Sequence, residues 1–94
     1  MIPLGMVQQA ILKTLYDEGP QLLASIREFY REKAGGHQEY PKTMACVKLF
    51  VAHDLVTHHM MGPDRGIKIT ERGKALVEKW REEQRKLYIP DVQG

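Results

Sequence analysis

Residues 53–80, HDLVTHHMMGPDRGIKITERGKALVEKW, decide the fold. Leu55 to Met61 reads as one extended segment, and Ile67 to Thr70 as a second. In the second, Ile67 and Ile69 alternate with Lys68 and Thr70, the period of a half-buried strand. Between them GPDRG, residues 62–66, is rich in turn formers. The two segments therefore form a hairpin with the Asp64-Arg65 pair at its tip. From Glu71 the period changes to that of a helix running to Tyr88, with Ala75 or Leu76, then Val77, Trp80, Gln84 and Leu87 along one side. Thr70 suits its N-cap, and Glu71 lies near the positive end of its dipole. Gly73 lets the start of this helix approach a neighbouring backbone closely. A lone hairpin is not stable in water, so it must pack on the residues that precede it.

Those residues read as three helices. MVQQAILKTLYDE, residues 6–18, sets Val7, Ala10, Ile11 and Leu15 against a polar side, and Gly19 ends it. QLLASIREFYREK, residues 21–33, follows Pro20, with Leu22, Leu23, Ile26, Phe29 and Tyr30 as its stripe. A loop over residues 34–40 precedes a third helix that opens at Pro41 and ends near His53 or Asp54. The expected fold is mainly α (α+β): three helices, a two-stranded hairpin and a C-terminal helix.

This order is the layout of a winged helix-turn-helix domain. The stretch 53–80 resembles the wing and following helix of MarR- and PadR-type transcriptional regulators. That family ends its recognition helix in L-x-x-x-G-L-[IV], and here Phe50, Asp54, Leu55 and Val56 stand in those places. Asp54 replaces the usual Gly. Asp64-Arg65 matches the wing's frequent D-R, and Ile69, Thr70, Gly73 and Leu76 match L-T-x-x-G-x-x-L. The resemblance implies one domain over residues 1–94, with a three-helix core at 6–53, a wing at 55–70 and a final helix at 71–88.

The resemblance further implies double-stranded DNA as partner, with the third helix in the major groove and the wing at the adjacent minor groove or phosphates. The candidate contacts are Lys42, Thr43 and Lys48 on the third helix, and His58, Arg65 and Lys68 on the hairpin. His58 and His59 alternate, so one is expected to face the core and the other solvent or phosphate. Trp80, Gln84 and Leu87 would form the seam of a homodimer. The third helix is apolar nearly all round, whereas groove-reading helices usually display Arg, Asn, Gln and Ser. This feature, with Met60 and Met61, supports an alternative: a winged-helix module used for protein contact without sequence-specific DNA binding.

Enzymatic chemistry is not expected. The chain has no phosphate-cradling glycine loop, nucleophile elbow or paired carboxylates with a shared apolar pocket. Neither a cofactor nor a metal is expected, because His37, His53, His58, His59 and Cys46 fit no recognised zinc spacing. Cys46, the single cysteine, reads as a small buried side chain in a reducing, cytoplasmic setting.

With 94 residues, 43% hydrophobic and 28% charged, the composition fits one small globular domain. No segment has the apolar length of a membrane span, and the N-terminus makes a poor signal peptide. Fourteen Lys and Arg against twelve Asp and Glu leave a net charge of +2. Residues 1–47 carry five of each sign and 48–94 carry nine basic and seven acidic, so the excess lies with the wing and last helix. DNA binding must then rest on a few placed cations, and a single copy would bind weakly. Dimerisation is expected to accompany it.

Overall fold

The computed structural model describes residues 4–34 and 39–88, within which the side chains at 32–34, 39 and 86–88 are left aside. The elements are α1 (Met6–Glu18), β1 (Gln21–Leu22), α2 (Leu23–Ala34), α3 (Glu39–Ala52), β2 (Val56–Met61), β3 (Asp64–Ile69) and α4 (Glu71–Tyr88). The tail at 89–94 and most of the expected loop, including His37, lie outside the described residues. No described helix is long and apolar enough to cross a membrane.

α1, α2 and α3 pack around Ile11, Leu12, Leu15, Ile26, Tyr30, Cys46, Val47 and Phe50. The base of the hairpin closes this core with Leu55, Val56, Ile67 and Ile69, and α4 adds Val77. The helical pattern of α1 holds in kind, although Leu12 is buried and Ala10 is exposed. α4 is bound to α1 by more than apolar contact. The Arg81 guanidinium donates to both carboxylate oxygens of Asp17, at 2.9 and 2.7 Å. It also lies over the Tyr16 ring, whose hydroxyl donates to Glu78 at 2.6 Å.

Three boundaries differ from the sequence expectation. The sheet has three strands, not two, in the order β1-β3-β2. Gln21 and Leu22, expected on the second helix, pair antiparallel with Ile67 and Gly66. Gly66 permits this, since a Cβ there would stand 2.5 Å from the Gln21 carbonyl oxygen. α3 begins at Glu39, ahead of Pro41, which sits in the first turn where a missing N–H costs nothing. Finally, β3 starts at Asp64, because Met61 pairs with Asp64 across a two-residue turn, Gly62-Pro63. Gly62 has φ 66, the positive value that such a turn requires at its first central position. Asp64 and Arg65 are therefore the first residues of a strand, not the hairpin tip.

One joint fixes the hairpin to the helices. α3 ends with Asp54 in the left-handed region, φ 58. Leu55 N–H donates to the Phe50 carbonyl at 2.8 Å, and Asp54 N–H to that of Val51 at 3.0 Å. This is the paired closure of a Schellman cap, with buried Leu55 and Phe50 as its apolar contact. Thr70 then ties the cap to α4. Its hydroxyl donates to the Asp54 carbonyl at 2.6 Å and accepts the Gly73 N–H at 3.0 Å. Its own N–H donates to the Leu55 carbonyl at 2.9 Å. Gly73 is packed so tightly that a Cβ would meet the Leu55 oxygen at 2.3 Å.

Candidate nucleic-acid interface

α3 presents one side to the core and one to solvent. Thr43, Cys46, Val47 and Phe50 are buried. At 100° per residue the opposite side is Pro41, Ala45, Lys48 and Ala52, and all four are exposed. Lys42 is exposed on one flank, and Val51, 38% exposed, lies on the other. The helix is apolar nearly all round in sequence, yet it is covered on one side only. Along the outward side its residues are small or basic, while Tyr40, 53% exposed, and Val51 lie on one flank.

Thr43 leaves the set of candidate contacts. It is 1% exposed, because it shares the buried side with Val47 and Phe50, and a core side chain reaches neither base nor phosphate. Lys42 and Lys48 both stand on the surface.

The hairpin separates its own candidates. In an antiparallel pair, directly opposed residues share a face and neighbours along a strand alternate. Val56, His58, Met60, Arg65, Ile67 and Ile69 thus lie on the face that meets the core at its base. Thr57, His59, Met61, Asp64, Gly66 and Lys68 lie on the other. Arg65 and Lys68, expected to act together, point to opposite sides of the sheet. Arg65 pairs with Met60 one step from the turn, with His58 on its diagonal. A hollow of about 190 Å³ is lined by His58, His59, Met60, Arg65 and Gly66. Lys68 pairs with Thr57, roughly 10 Å further from the tip at about 3.3 Å per residue. Neither His58 nor His59 enters the core: His58 is exposed and His59 half-buried. β2 is an edge strand, so Ile67 on the central strand is fully covered while its partner His58 is not.

Sequence reasoning missed a second cationic feature. Where α3 meets α4, an open hollow of about 470 Å³ has Ala52, Leu55, Ala75 and Leu76 as apolar lining. Arg72 and Lys79 stand at its walls with His53 and Asp54. Their seven-residue spacing, two helical turns, was the available signal. The wet character of ITERGKALVEK concealed it.

The seam residues are divided. Trp80 is half-buried and packs against the core of its own chain. Gln84 is exposed and shares a groove with Gln9, Lys13, Trp80 and Glu83. The side chain of Leu87 lies outside the described residues. Cys46 is buried beside the Tyr30 hydroxyl, and burial pushes its thiol up to about 11. No group of three or more His, Cys, Asp or Glu among the described residues is placed to hold a metal ion.

The chain matches no protein-family model and no curated protein sequence. Its fold does match solved structures. A PadR family transcription regulator from Clostridium difficile R20291 superposes with a TM-score of 0.70, at 17% identity over 89% of this chain and 92% of that one. SSV1 F-93 superposes at 0.64, with 13% identity over 93% and 94% of the two chains. A MarR family regulator from Neisseria meningitidis gives 0.59 at 24% identity, covering 90% of this chain and 61% of its own. The fold is a winged helix. It is the fold of PadR- and MarR-type regulators, as the stretch 53–80 implied, and the winged helix of this chain spans nearly the full PadR-family structure.

Proposed function

We propose that this winged-helix protein binds double-stranded DNA as a small homodimeric transcriptional regulator and is not an enzyme. The carrying observation is the outward side of α3, where Lys42 and Lys48 stand free of the core, together with Arg65 near the tip of the wing. Winged helices place these two elements in adjacent grooves. The neighbouring PadR and MarR family structures are transcription regulators, which supports the reading.

In this reading Lys42, Lys48 and Arg65 carry the contacts and His58 lies alongside Arg65. Lys68, on the opposite face, contributes less. Three cations per copy give weak binding, so two copies are needed. The dimer forms through the distal half of α4, where residues 82–85 are exposed beyond the Arg81–Asp17 pair. Gln84 lies in that seam, and Met6 of α1, 88% exposed, adds apolar surface.

A labelled 20–30 base-pair duplex titrated at low and at physiological salt tests the reading. Tight binding that weakens steeply with salt supports it. Absence of binding at low salt favours the protein-contact alternative, for which the exposed Met60, Ala45 and Val51 speak.

A further inference from the structure

The outward strip of α3 is poor in hydrogen-bonding groups. Ala45, Lys48 and Ala52 lie along it, all exposed, and Lys48 is the only long polar side chain among them. Ala45 and Ala52 are seven residues apart, about 10 Å at 1.5 Å per residue, or about three base-pair steps of 3.4 Å. Short side chains at both ends let the helix backbone come close to base edges. A helix about 10–12 Å across, side chains included, fits a major groove of about 12 Å.

Few bases suit this strip. Adenine and cytosine are read by Asn, Gln, Asp or Glu, and the strip has none of them. A methyl group packs on the C5-methyl of thymine, and a lysine ammonium donates to guanine O6 and N7. We propose that Lys48 reads a guanine in the major groove, while the methyl groups of Ala45 and Ala52 pack on thymines bordering it. This inference rests on the DNA-binding reading and names the base chemistry of that same site.

The test starts from a pool of random-sequence duplexes selected for binding to the wild-type chain. The expected result is a motif with a guanine bordered by thymine within three base pairs, repeated once by the two-fold axis. Replacing those thymines by deoxyuracil, which lacks only the methyl, should weaken binding several-fold. Ala45→Gly should reduce that thymine-over-uracil ratio, and Ala45→Gly combined with Ala52→Gly should abolish it. Lys48→Ala should reduce the preference for the guanine by about fivefold or more. These readouts are ratios on one protein sample, so a partly unfolded variant does not distort them. Salt-sensitive binding without a motif overturns the inference and leaves the DNA-binding reading intact. So does a motif indifferent to deoxyuracil and to Lys48→Ala. No binding to any duplex overturns both.

Discussion

Thr70 does the most with one side chain. Its hydroxyl caps α4 through Gly73 N–H and closes α3 through the Asp54 carbonyl, so two helix ends share one group. Thr70→Val should cost about 1–2 kcal/mol in urea unfolding, whereas Thr70→Ser should retain most of it. The N-cap role was legible in sequence, because a hydroxyl residue stood before a helical run. The bond to Asp54 was not, because it joins residues sixteen apart across the hairpin. Asp54 shows the same division. Its departure from the usual Gly was visible, but the φ of 58 that explains the preference was not. Asp54→Gly should leave stability unchanged or raise it by up to about 1 kcal/mol, since glycine has no steric penalty there. Cys46 is set by burial, which holds its thiol near 11. At pH 8 the folded protein should not react with a thiol-specific disulfide reagent, and modification should follow unfolding. Rapid stoichiometric labelling of folded chain would contradict this placement.

At the scale of elements, periodicity fixed α1 and α4 to their observed limits, since each alternates apolar and wet sides over at least three turns. β1 escaped. Two residues carry no period, and their partner lies more than forty positions away. The bare Cα of Gly66 was its single trace in the sequence, and there it read as part of a turn. Gly66→Ala would drive a methyl into the Gln21 carbonyl, so it should detach β1 while β2 and β3 stay paired. Amide exchange checks this: protection should fall where β1 meets β3 and persist between β2 and β3. The candidate site was legible only as a list of exposed cations. The basic residues of α3 and the wing were named from sequence, but Thr43 was misplaced because charge and spacing do not say which side of an apolar helix is covered. Arg65 and Lys68 were grouped because the turn was read as five residues, 62–66, where it has two, Gly62 and Pro63. That slip changed how the hairpin pairs without changing its residues.

For the whole molecule, the Arg81–Asp17 pair ties the final helix to the first and sets the direction in which α4 leaves the body. The guanidinium holds the Asp17 carboxyl below the ordinary carboxylate value of 3.8. A lowered value in the folded state means stability that is present above that value and lost as pH falls below it. The melting-temperature gap between wild type and Asp17→Asn should accordingly be open at neutral pH and close as pH falls below about 4. In the proposed dimer the direction of α4 sets where the two copies meet. Sedimentation equilibrium should show a concentration-dependent dimer, and Gln84→Arg should weaken it without changing the melting temperature of the monomer. In the proposed complex Lys42 and Arg65 meet phosphates, about two per copy and four per dimer, while Lys48 reads a base. Titration of a labelled duplex across about 50–200 mM salt measures that number directly, because the slope of log affinity against log salt counts the phosphates neutralised. The expected slope is about −4, and Arg65→Ala in both copies should make it shallower by about 2. Absence of binding at the lowest salt, or a slope that Arg65→Ala leaves unchanged, would contradict the account.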